Sequence, residues 1–205
     1  MGADKSKKAG NAGAIAEQIV AEADEAELAR NMEALGDGSK SAATRAARVV
    51  DEVIRLKPDL GVPHIERLVE LIASDQPRQV QTSASGLPVL ARIAPAKVAK
   101  HLDRLTASFD AASDAGKDGL VRTYAALCNA SIAYQKRLID VLERALAEAN
   151  GKTLEAWANL VLPVLKGEPH AVARAVVERR LEEIPRSIAR KLAGFLGVKL
   201  RPAGR

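Results

Sequence analysis

The sequence predicts an all-α fold, a solenoid of about five helical hairpins, and three observations predict it. First, a short motif returns at a fixed interval. His64-Ile65-Glu66-Arg67-Leu68 reappears 37 residues on as His101-Leu102-Asp103-Arg104-Leu105, and after the same step as Leu138-Ile139-Asp140-Val141-Leu142. Run backwards, the step lands on Leu28-Ala29-Arg30, with Leu35 falling where Ile72, Phe109 and Leu146 fall. A period of this length marks units that bury their apolar faces only against their neighbours. Second, apolar residues follow helical spacing throughout, and no stretch alternates with the two-residue period of a strand. Third, 47% of residues are hydrophobic but only 2% aromatic, a composition suited to helices packed closely on small side chains.

In chain order, residues 1–12 are small, polar and Lys-bearing and read as a flexible tail; a repeat domain over 13–197 follows, then a basic tail over 198–205. Helical spacing runs from Ala14 to Leu35, with Asp24, Glu25 and Glu27 marking either a break or a wet face. Gly36-Asp37-Gly38-Ser39 is a turn, and Ser39 or Ser41 caps a helix reaching about Lys57. Pro58-Asp59-Leu60-Gly61 breaks the chain before a helix near Val62–Ala73. Pro77 suits a first helical position, and Pro88 should kink the helix that ends near Ile93. Pro95 opens the next helix, and Ser113 to Gly119 reads as a loop. Helices then carry Leu120 to Cys128, Leu138 to Leu146, Leu154 to Leu165, Val172 to Ile184 and Ile188 to Phe195, with turns at Asn150-Gly151, Gly167-Glu168-Pro169 and Pro185.

Bulk properties bound the function classes. The formal net charge is +5, from 31 basic and 26 acidic side chains. The excess lies in Lys166 to Arg205, where ten Lys or Arg face four Glu. Such an end attracts acidic protein tails, nucleic acid or anionic lipid, or forms a solvated helix face. One cysteine, Cys128, excludes an internal disulfide and fits a reducing compartment. No apolar run is long enough to span a membrane, and no secretory signal opens the chain, so a cytoplasmic location is expected.

Paired helices at this interval, several opened by Pro, resemble HEAT repeats over about Glu25 to Leu196. Val62 to Ala94 is the best copy, with Ile65-x-x-Leu68-x-x-Leu71-Ile72, then Asp75-x-Pro77, then Val80-x-x-x-Ala84. Val121-Arg122 with Ala125-Ala126 approaches the family's Val-Arg-x-x-Ala-Ala pattern, whereas Gln81 stands where the second unit would carry Arg. The resemblance implies a right-handed α–α superhelix whose second helices line a concave side, in proteins that mostly bind other macromolecules.

No catalytic, cofactor or metal constellation is legible. His64 and His101 occupy one repeat position and would lie about 10 Å apart, the thickness of a helix layer, too far to share a metal. His170 stands alone. Cys128 lies among Ala125, Ala126 and Leu127 and reads as a buried hydrophobe. Trp157 reads as core, or as an anchor on a groove.

One pattern is chemical. Stepping by 37 along the second helices gives Arg55, Arg92, Asn129 and Lys166; seven residues earlier it gives Arg48, Ser85, Arg122 and Asn159. Positions seven apart share a helical face, so two adjacent ladders form, basic or hydrogen-bonding and never acidic. The expected role is a scaffold or adaptor whose basic groove docks an acidic or amphipathic protein segment through Arg48, Arg55, Arg92, Arg122, Asn129, Asn159 and Lys166. The opposing reading pairs these arginines internally, as Arg122 with Asp114 or Asp118. Nucleic-acid binding by the same ladders is a rival. A membrane-tethered adaptor is another, since Gly2 and Ser6 match the myristoylation pattern and Lys5, Lys7 and Lys8 would supply the electrostatic second signal.

Overall fold

The computed structural model describes the backbone of residues 3–37 and 39–200, and the side chains of 12–36 and 39–200. Gly2 and residues 201–205 lie outside the described residues. Those described form helices and turns, with no strand among them. Contacts gather into two compact units, Met1–Thr123 and Tyr124–Arg205.

The first unit opens with α1, Ala3–Glu22, which reaches into the stretch expected to be a tail, and α2, Glu25–Asp37. The acidic cluster between them is a true break. Ala23 takes a left-handed backbone with φ of 51°, and the Asp24 carboxylate accepts from the Glu27 amide at 2.9 Å. Glu25 and Glu27 then sit in the first turn of α2, where carboxylates favour the helix dipole. Ser39 rather than Ser41 caps α3, Lys40–Leu56, accepting from the Ala42 amide at 3.3 Å.

A 3₁₀ helix over Pro58–His64 leads into α4, Ile65–Leu71, followed by α5, Pro77–Ile93. After α5 come α6, Pro95–Ala99, and α7, Leu102–Ser108. The 37-residue step is visible in the backbone. Lys57 (φ −143°, ψ 77°) and Ala94 (φ −133°, ψ 54°) turn the chain alike before Pro58 and Pro95. His64 (−99°, 9°) and His101 (−103°, 14°) likewise hand over to α4 and α7.

α5 is a single helix with Pro88 buried inside it, where the missing donor removes one bond from the ladder. One sequence expectation changes here. The stretch Ser113–Gly119 is not a loop, because α8 spans Asp114–Ala130. Its glycines serve close approach instead of a turn. A Cβ at Gly119 would stand 2.4 Å from Ala84 Cβ and 2.5 Å from Ala84 Cα, and one at Gly116 would stand 2.7 Å from the Ile72 carbonyl oxygen.

The second unit takes the end of α8 and adds α9, Ile132–Glu148, and α10, Gly151–Val161, the latter extended by a 3₁₀ turn at Leu162–Val164. Then follow α11, Gly167–Arg180, and α12, Arg186–Leu196. Ser131 and Asn150 cap α9 and α10, and Gly197, with φ of 69°, closes α12. In this unit α9 packs on α11 and α10 on α12.

Burial keeps the register in both units. The positions Val50, Leu87, Tyr124 and Val161 are all buried, as are Ala47, Ala84, Val121 and Ala158, and Leu35, Ile72, Phe109 and Leu146.

Candidate docking surface

Each ladder position can now be placed. Arg48 and Arg55 stand on α3, Ser85 and Arg92 on α5, Arg122 and Asn129 on α8, Asn159 on α10, and Lys166 just ahead of α11; all eight are exposed. The seven-residue spacing along a helix and the 37-residue step between helices therefore select solvent-facing positions every time.

In the first unit, Arg48 and Arg55 border a groove of about 650 Å³ between α3 and α5, with residues of α1 at its edge. Ile54 and Val89 supply apolar wall, and Gln81 and Ser85 supply hydrogen-bonding groups. The groove is not purely basic, because Asp51 and Glu52 lie between the two arginines. Arg55 holds Glu52 at 2.5 Å, an exposed pair one helical turn apart. The Glu52 carboxyl is held below the usual range, chiefly by that hydrogen bond.

Asp51 is the group the ladders did not foresee. It accepts from the Ser85 hydroxyl at 3.0 Å, joining α3 to α5. Burial pushes its carboxyl up, against the opposing pull of the Ser85 and Thr82 hydroxyls and of Arg78. Thr82 Oγ1 is itself buried and makes no bond of standard geometry. Arg122 pairs with Asp118 at 2.7 Å, one of the two partners foreseen for it. Arg48 and Arg92 form no ion pair with any described residue. The internal-pairing reading thus describes Arg55 and Arg122 but not Arg48 and Arg92.

In the second unit, the Asn159 amide donates within its own helix to the Glu155 carbonyl at 2.7 Å. Lys166 borders a separate groove of about 580 Å³ with Ile132, Ile139 and Val172 in its apolar part, and Asp140, Glu143 and Glu168 as its acids. The backbone there is fixed by Gln135, a buried side chain. Its amide donates to the carbonyls of Cys128 and Val164, each at 2.9 Å, and its oxygen accepts from the Lys166 amide at 3.0 Å.

The C-terminal basic excess is partly turned inward. The Arg180 guanidinium donates to the Leu146, Ala147 and Ala149 carbonyls at the end of α9 and holds Glu183 at 2.7 Å. Arg174 donates to the Leu196 carbonyl at 2.8 Å, closing α12, and to Glu178 at 2.7 Å. Both arginines satisfy carbonyls that a helix end leaves open.

Neither histidine of the repeated pair builds a metal site, and no group of three ligating side chains occurs among the described residues. His64 is half-buried, and burial lowers its pKa against the pull of Glu25. Burial pushes the Cys128 thiol up to about 12, far from nucleophilic use. No described helix is long and apolar enough to cross a membrane.

The chain matches no family model and no curated protein. The functional reading therefore rests on this geometry.

Proposed function

We propose that the chain is a HEAT-like helical-repeat scaffold that docks an acid-bearing amphipathic segment of a partner protein. One observation carries the reading: eight positions related by the repeat are exposed and basic or hydrogen-bonding, seven of them on helices and Lys166 just ahead of one, with buried register positions between them. A side chain exposed in every copy does no packing, and within the first unit Arg48, Arg55 and Ser85 border one groove that a docked segment would meet. The groove between α3 and α5 adds apolar wall to the charge, so the occupant is amphipathic rather than merely acidic. Exposed pairs such as Arg55–Glu52 contribute little to stability, so an incoming carboxylate exchanges with them at small cost.

The test is selection from a random-peptide display library on the wild-type protein and on the Arg48→Glu/Arg92→Glu variant. Peptides combining acidic and apolar residues should be enriched by the wild type and lost at least tenfold on the variant, with helicity unchanged by circular dichroism. Undiminished recovery on the variant would overturn the reading. So would duplex-DNA filter binding with a steep log–log dependence on salt, the signature of phosphate neutralisation.

A further inference from the structure

Four large apolar side chains are exposed among the described residues, and two of them stand one repeat apart. They are Leu56, 40% exposed, and Ile93, 44% exposed. Each directly follows a ladder arginine, Arg55 or Arg92, at the C-terminal end of its helix. Each precedes the similarly turned residue, Lys57 or Ala94, that leads into a proline. One exposed leucine means little. A basic–apolar pair presented twice, by the same helix-end geometry, means that the surface itself repeats.

The spacing of that surface constrains what it reads. α3 and α5 are packed neighbours, linked by the Ser85–Asp51 bond, and packed helix axes lie about 8–10 Å apart. A β-strand returns a side chain to one face every two residues, about 6.6 Å, which is too short. An α-helix returns one every turn, about 5.4 Å, too short, and every second turn, about 10.8 Å, which overshoots the step. A polyproline II segment returns one every three residues, about 9 Å, and matches the step.

Resting on the docking reading above, we infer that the Arg55-Leu56 and Arg92-Ile93 rungs bind a polyproline II segment carrying an apolar–acidic pair every third residue. Its apolar side chains cover Leu56 and Ile93. Its carboxylates meet Arg92, which has no ion pair among the described residues, and Arg55, which exchanges Glu52 for the new partner. Lys57 adds positive charge beside the first rung.

The experiment is fluorescence polarisation with two labelled peptides of equal composition. One repeats Leu-Asp-Pro; in the other the same residues are rearranged so that Leu-Asp pairs fall four apart. The period-three peptide should bind the full chain at least tenfold more tightly than its rearrangement. Leu56→Ser with Ile93→Ser, exposed positions that leave the core intact, should erase that preference without altering the circular dichroism. Equal affinity for the two peptides, no binding of either, or an unchanged preference in the serine variant would each overturn the inference. Display-selected peptides that lack the three-residue spacing, yet are lost on the Arg48→Glu/Arg92→Glu variant, would remove this inference while leaving the docking reading in place.

Discussion

Replacing Gln135 with Leu should destabilise the second unit selectively. Gln135 is 2% exposed and makes three hydrogen bonds, to the Cys128 and Val164 carbonyls and from the Lys166 amide. Leucine fills a similar volume but strands all three backbone groups. Each lost bond is worth about 1 kcal/mol, and a buried group left without a partner costs about 1–3 kcal/mol. Cys128 is almost fully buried whereas the Val164 and Lys166 bonds are only part-buried, so the cost is about 3 kcal/mol. At a urea slope of about 1.5 kcal/mol/M, the midpoint falls by about 2 M. Trp157, Tyr124 and Tyr134 all lie in the second unit, and Trp157 is the sole tryptophan. Tryptophan fluorescence therefore follows that unit, while circular dichroism follows the helices of both. Lys166→Ala, which keeps the amide, is the control and should leave the midpoint in place. A fluorescence midpoint shifted by less than about 0.5 M in Gln135→Leu would refute the reasoning.

Two further outcomes are expected. Arg180→Met keeps the aliphatic stem but strips three carbonyls at the end of α9, and should cost about 3 kcal/mol in the same fluorescence assay; Arg180→Lys should recover little of it, because an ammonium cannot match the guanidinium's fork of donors. Asp51→Asn should be at least as stable as the wild type at pH 7 in urea unfolding followed by circular dichroism. Burial raises the folded-state pKa of Asp51, so its favourable contribution is full below the unfolded value of about 4 and is lost as pH rises through the folded value. The gap between variant and wild type should thus close on acidification, and a gap that widens would contradict the burial effect.

Much of the fold was legible because burial follows the 37-residue step. Leu35, Ile72, Phe109 and Leu146 align at that step in the sequence, and all four are buried. The glycines of α8 misled, since Gly116 and Gly119 resemble a turn in sequence and reveal their purpose only when Ile72 and Ala84 lie opposite them. Asp51 is not legible from the ladders, because it lies between positions 48 and 55 and its partner, Ser85, sits on another helix. Gln135 could have been found. It occupies the register position of Gly61 and Val98, both buried, so a polar side chain there had to be one that meets backbone groups. In the sequence, Arg180 and Arg174 are indistinguishable from the other cations of a basic end. Net charge does not distinguish a cation facing solvent from one enclosing a helix terminus.

The matched turns at Lys57 and Ala94 have a practical consequence for engineering. The segment between them begins and ends on nearly the same backbone angles, so a further copy spliced in at that seam would meet junctions of the geometry it left. Such a cassette would lengthen the molecule by one rung without redesigning either neighbour's connection.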